Sequence, residues 1–307
     1  MPLSCADVTA VLEKAALDNT NPETTEIAFF GGSFTAIERG YMISLLEAAF
    51  PFVESGRFCG IRISTRPDAI DGDVLGVLKK YGVTSVELGA QSTDDGVLLL
   101  NRRGHTRADI FEASHLIKQH GFSLGLQMMT GLLGDTFEKS VATARDIISI
   151  RPDTVRIYPT VTLEGTRLGE LYKAGEYKPQ TLDEAVELCA VLLKMFYDEN
   201  IRVIRLGLHS GGNVADGYLA GPYHPAFGEM CESKIFLDGA LEYLKNIYPQ
   251  PDGTVFEIGV SKSAVSKMTG QHGCNKKTLA ENGYQVTVYG TDSLTGYQMQ
   301  ITPKRNN

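Results

Sequence analysis

Five short runs rich in apolar and β-forming residues recur along the first half of the chain: EIAFFGG (26–32), CGIRIST (59–65), SVELGAQ (85–91), SLGLQMMTG (123–131) and TVRIYPT (154–160). Between them, near 36–54, 71–81, 107–119 and 136–150, apolar residues repeat at helical spacing. Strand–helix units in such succession predict a barrel or an open wound sheet. The strands are near-continuously apolar, which predicts a parallel sheet covered on both faces. Ser33, Thr65, Arg66, Gln91, Ser92 and Thr130 stand just past the strand ends. In a barrel they would cluster on one rim, and this favours the barrel.

The chain opens on a helix instead of a strand. Ser4 can cap a helix starting near Ala6, and Asp7 completes a capping-box pattern. A barrel of this kind normally begins with a strand, so its first strand and loop are expected to be missing. A long helix over 180–199, a strand at IRVIRLGL (201–208), a Gly- and His-containing loop over 209–228 and a helix near 229–245 follow. PQPDG (249–253) is turn-rich and marks a boundary. The predicted division is 1–248 and 249–307. The predicted fold class is α/β, a partial TIM-like (β/α)6 barrel lacking its first strand, with a small C-terminal α+β module.

Composition excludes several alternatives. Hydrophobic residues make up 43% and charged residues 21%, as in an ordinary soluble domain. No apolar run reaches the roughly 18 residues of a membrane span. MPLSCADVTAVLEKAAL has no basic start and no apolar stretch, so it does not read as a signal peptide. The five cysteines, at 5, 59, 189, 231 and 274, are widely spaced. An odd count at such spacing predicts reduced thiols in a cytoplasmic protein. It also excludes a metal site built from local cysteine pairs.

The net charge is −8, unevenly distributed. From Gly253 onward six basic residues face three acidic ones, a tail of +3 on a remainder of −11. The tail reads strand, helix, helix, strand, with Gly270-Gln-His-Gly273 between the helices. That order is the arrangement of a KH module, in which a GxxG loop lets a nucleic-acid backbone approach. Gly270, Gly273, Lys267, Lys276 and Lys277 are therefore the candidate RNA contacts. A plain tight turn is the competing reading of the loop.

At the strand ends each residue alone has an ordinary explanation. Gly31 and Gly32 could form a turn, Asp68 could cap a helix, and Gln91 could be a satisfied core amide. Their joint order narrows the choice. FFGGSFTAI, ISTRPD, VELGAQS, LNRRGHT and MTGLLG, with the later RVIRLGL and GPYHPAFGE, resemble the radical S-adenosylmethionine superfamily. More narrowly they resemble the branch of the Elongator catalytic subunit and its short, coproporphyrinogen-oxidase-like bacterial relatives, over about residues 22 to 275.

The resemblance implies S-adenosylmethionine as cofactor. Gly31, Gly32 and Ser33 match the motif that meets its amino group through main-chain atoms. An ammonium needs carbonyl acceptors, and glycines let backbone reach it. Thr65 and Arg66 match a strand end near the cofactor, Gln91 a group near ribose or carboxylate, and Arg102 a partner for the carboxylate. Met129 and Gly131 would line the adenine side. His105 is open to a cofactor, substrate or structural role.

Two departures qualify the resemblance. The family holds a [4Fe–4S] cluster on three cysteines after the first strand. No such motif occurs here, and Cys5 and Cys59 do not fit it. Cleavage to a 5′-deoxyadenosyl radical is therefore expected to fail without an upstream cluster segment. The roughly 50 residues past the boundary are also too few for an acetyltransferase domain. The expected function is a radical S-adenosylmethionine-type enzyme acting on RNA, with tRNA reached through the C-terminal module. The alternatives are a non-catalytic RNA-binding protein on a relic barrel and, more weakly, a phosphate-binding barrel enzyme.

Overall fold

The computed structural model describes residues 3–208 and 217–304. The chain forms two compact units, Met1–Tyr158 with Phe196–Arg205, and Pro159–Met195 with Leu206–Asn307.

The first unit alternates strands and helices as the sequence predicts. In chain order it contains α1 (Cys5–Asp18), β1 (Glu26–Phe29), α2 (Arg39–Glu54), β2 (Gly60–Thr65), α3 (Gly72–Lys80), β3 (Val83–Gln91), α4 (Asp95–Leu100), α5 (Arg107–Gln119), β4 (Ser123–Thr130), α6 (Phe137–Ile150) and β5 (Thr154–Pro159). The sheet runs β1-β2-β3-β4-β5 and ends on the strand Arg202–Leu206. Neighbours from β1 to β4 pair in parallel. The result is a half-barrel. Side chains also set the helix starts. Ser4 and Asp7 form the expected capping box on α1, Thr106 and Asp109 form another on α5, and Thr136 caps α6. The short α4 lies inside a stretch that the apolar spacing had left without a helix.

One face of the sheet is apolar and buried: Ile27, Ile61, Ile63, Val86, Leu88, Leu124, Leu126, Val155 and Ile157. Leu46, Leu75, Leu78, Ile110, Ile117 and Ile147 of the helices belong to the same buried set.

The other face departs from the expectation of two apolar faces. β1 to β5 each place a charged or amide residue there, Glu26, Arg62, Glu87, Gln127 and Arg156, with Ser64, Ser85 and Thr154 beside them. Arg156 of β5 lies over the ring of Phe30, just past β1, with 5.2 Å from guanidinium carbon to ring centroid. In a flat sheet strands four apart stand about 19 Å apart. The sheet therefore curls, and this polar face lines its concavity. Charges can be buried there because partners arrive from opposite strands. Gly125 makes room for them, since a Cβ there would lie 2.7 Å from Glu87 Cγ and 3.1 Å from Thr154 Oγ1.

The second unit holds a small antiparallel pair, Thr162–Leu163 with Tyr218–Ala220. It also holds a three-stranded sheet in which Val255–Ser261 is central. That strand pairs in parallel with Gln285–Thr291 and antiparallel with Gln300–Pro303. The short helices Val265–Thr269 and Cys274–Glu281 complete the β-α-α-β order read from the sequence. Phe256, Ile258, Val260, Met268, Leu279 and Tyr284 share one core with Phe236, Ala240 and Leu244. Those last three lie on the helix Phe227–Ile247, which the sequence placed before the boundary. Of the predicted loop over 209–228, residues 209–216 lie outside the described residues.

Candidate cofactor site on the half-barrel rim

The loop after β1 carries Gly31 and Gly32, both exposed. Gly31 has φ +101°, a conformation that side chains resist. Gly32 has no such constraint, yet a Cβ at either glycine would meet nothing within 4 Å. The main chain here is therefore bare.

Ser33 and Thr65 act below that surface. Their hydroxyls are 2.9 Å apart, and Ser33 Oγ accepts from the Arg66 N–H at 3.0 Å. Thr65 Oγ1 also meets Thr35 Oγ1 at 2.5 Å. These bonds tie the glycine loop to the end of β2. They occupy both hydroxyls, so the pair shapes the loop. The Arg66 side chain pairs with Asp68 through two bonds of 3.0 and 2.9 Å.

Gln91 owes its position to a bulge. The register of β3 against β4 slips between Leu88 and Gln91. Gln91 takes φ +64° and is 7% exposed. A bulge of this kind re-aims a side chain at the end of a strand. Gly89 allows it, because a Cβ there would come within 2.6 Å of Gln91 Nε2.

The structure separates the two arginines of LNRRGHT. Arg102 has φ +51° and donates its N–H to Leu99 O just past the end of α4, with its side chain exposed. Arg103 is half-buried, and its Nε has no partner among the described residues. Burial lowers its pKa, and the nearby Arg66 charge lowers it further. Such a buried guanidinium suits a carboxylate. Spacing alone does not distinguish adjacent loop residues, so Arg103 joins Arg102 as a candidate.

His105 is buried, with Nε2 3.1 Å from Ala90 O. A carbonyl only accepts, so Nε2 carries the proton. Nδ1 is buried without a partner among the described residues. Met129 is half-buried at the end of β4. Gly131 has φ +71° and donates its N–H to Asp135 Oδ2 at 2.9 Å. Burial raises the Asp135 pKa despite bonds from Ser140, Gly131 and Thr136.

The concave wall holds a charge network that the motif reading missed. Glu87 is 1% exposed. It accepts from Arg156 Nε at 2.7 Å and Nη2 at 2.9 Å, from Gln127 at 2.8 Å, and from Arg62 Nη1 at 3.2 Å. Arg62 also donates to Glu26 at 2.8 Å, and Ser85 donates to Glu26 at 2.7 Å. Burial pushes the Glu26 carboxyl up. The Ser85 and Arg62 bonds and the Arg62 charge outweigh it and hold the group below its ordinary range. The available signal was one charged or amide residue inside each apolar run: EIAFF, GIRIS, VELGA, GLQMM and TVRIY.

A [4Fe–4S] cluster needs three converging thiolates. Among the described residues no three Cys, His, Asp or Glu side chains gather as a metal site. Cys189 and Cys231 are buried, whereas Cys5, Cys59 and Cys274 are exposed. Burial and the Glu26 charge raise the Cys59 pKa, away from thiolate. The described residues do not fit the cluster.

In the second unit Lys267 pairs with Glu232 at 2.7 Å. Lys276 and Lys277 are exposed. Gly270 has φ +78°, and a Cβ there would lie 2.5 Å from Cys274 Sγ and 2.8 Å from Asn275 N. Its own helix start thus requires that glycine. Gly273, with φ +74°, faces open space.

Residues 6–147 match the sequence model of the Radical SAM superfamily, and residues 152–236 match the Radical_SAM C-terminal domain. A tRNA uridine(34) acetyltransferase of Methanocaldococcus infernus is 36% identical over 183 residues, 53% of this chain and 34% of that protein. Human Elongator complex protein 3 is 36% identical over 193 residues, 56% of this chain and 35% of that protein. The chain thus spans about a third of the length of these curated relatives. The solved archaeal Methanocaldococcus infernus Elp3 with an N-terminal deletion (1–46) superposes with a TM-score of 0.66 at 26% identity, over 81% of this chain and 65% of that one. No helix among the described residues is long and apolar enough to cross a membrane. The two family matches establish that this chain belongs to the radical S-adenosylmethionine superfamily, within which it is similar to the Elongator catalytic subunit.

Proposed function

We propose that the chain binds S-adenosylmethionine on the rim of its half-barrel and acts on RNA in the cytoplasm. The bare main chain at Gly31 and Gly32 carries this reading. Carbonyls there can accept from the cofactor's ammonium, which no side chain obstructs. Arg103 would take the carboxylate, and Gln91, Met129 and Gly131 would face the nucleoside. In the superfamily S-adenosylmethionine serves radical chemistry beside a reduced iron–sulfur cluster, whose ligands the described residues of this chain do not supply. The relatives named for tRNA uridine(34) support RNA as substrate. Lys276 and Lys277, beside the Gly270–Gly273 loop, would meet its phosphates, since lysine and backbone N–H groups are the usual phosphate contacts.

Gly32→Val tests the rim cleanly, because Gly32 needs no special φ and has no neighbour to displace. The variant is expected to melt with the parent and to lose at least about tenfold in S-adenosylmethionine affinity by calorimetry, more than about 1.4 kcal/mol. Unchanged affinity would overturn the assignment.

One observation favours a second reading, RNA binding without radical chemistry: the described residues offer no cluster ligands. Anaerobic iron–sulfur reconstitution with iron counting, on this chain beside one extended upstream, separates the two. About four irons on the extended chain support the enzyme. Absence of iron from both together with retained RNA binding supports the second reading.

A further inference from the structure

We propose that Phe30 is a stacking platform for an unstacked nucleobase, set inside the half-barrel one residue before the cofactor glycines. This rests on the RNA reading above and specifies how the substrate would be held.

Phe30 stands out on the concave wall because it is large, apolar and 50% exposed. Along β1 the alternation of faces buries Ile27, and Phe29 stacks on Phe34 with centroids 4.8 Å apart. Phe30 falls on the opposite face. The Arg156 guanidinium lies over its ring at 5.2 Å. That guanidinium is held by two bonds to Glu87, of 2.7 and 2.9 Å. The ring thus rests on a fixed support, with half of its surface open. A rigid aromatic face loses little conformational entropy when a flat ligand stacks on it.

The surrounding charges select the kind of ligand. Arg156 and Arg62 both bind Glu87, and Arg62 binds Glu26 as well. Two cations are matched by two anions, and neither arginine is left bare for a phosphate. The wall suits a flat, uncharged group with polar edges. Among RNA components that is a base turned out of its stack, and single-stranded bases are commonly held on aromatic rings.

The test uses the full chain and an anticodon stem–loop RNA carrying 2-aminopurine in its loop, whose fluorescence falls on stacking. The parent is expected to bind and to quench the probe. Phe30→Ala should lose the quench and weaken binding about tenfold or more. Phe30→Trp should keep both. Phe30→Leu retains apolar bulk without a π face. It should lose the quench while melting with the parent, which separates stacking from folding. Unchanged quench and affinity in the Ala and Leu variants would overturn the platform while leaving RNA binding intact. A parent chain that binds S-adenosylmethionine but not the hairpin would overturn the RNA reading, and the platform with it.

Discussion

Glu87→Ala is expected to lower the unfolding free energy by about 3–5 kcal/mol. The carboxylate is the hub of the concave wall, with Arg62, Arg156 and Gln127 all donating to it. Its removal leaves two guanidiniums facing each other without their shared counter-ion. Both arginine side chains keep 17% exposure, so water relieves part of the cost, and the lower end of the range is expected. Urea unfolding of parent and variant measures it. A cost under about 1 kcal/mol would mean that the network contributes no more than a surface pair. Replacing Glu26, Arg62, Glu87 and Arg156 together by apolar residues of similar volume should recover most of the loss, since the penalty comes from the unpaired charges. The parent also has an acid limb. The folded Glu26 pKa lies below its ordinary value, so its stabilisation is complete above about pH 4.3 and disappears as pH falls through the folded value.

Asn275→Ala is expected to cost about 2–4 kcal/mol. Asn275 is 3% exposed. Its amide nitrogen stands 2.9 Å from Ser233 O, 3.0 Å from Ser233 Oγ, and 3.2 Å from both Lys267 O and Met268 O. One side chain therefore satisfies carbonyls on two segments and fastens the start of the helix Cys274–Glu281 to the helix Phe227–Ile247. Without it those carbonyls are left in a site closed to water. Asn275→Asp should be at least as damaging, because a carboxylate would face carbonyl oxygens. Thermal and urea melts decide the matter, and a cost below about 0.5 kcal/mol would show that water replaces the amide. Because the Gly270–Gly273 loop adjoins this anchor, Lys276→Glu and Lys277→Glu probe RNA contact more cleanly than changes at Gly270.

Much of the fold was legible from periodicity. EIAFFGG, CGIRIST, SVELGAQ, SLGLQMMTG and TVRIYPT are strands, and the stretches between them are helices within a few residues. The Ser4–Asp7 cap was legible because it is local, needing only four consecutive residues. The family was legible because its motifs are short, ordered and tied to strand ends. α4 was not, because six residues are too few to show a helical period.

The sequence by itself determined the strand–helix alternation, the place of the bare glycines after β1, and the β-α-α-β order of the tail. All of these depend on neighbours along the chain. The tertiary structure alone decided the rest. It turned Arg103 inward and left Arg102 outside. It bulged β3 so that Gln91 takes a left-handed conformation. It curled the sheet until Arg156 of β5 reached Phe30 beyond β1. Each of these depends on groups that are distant in sequence, and a charge buried on one strand is stable only when the curvature of the sheet brings its partner from another.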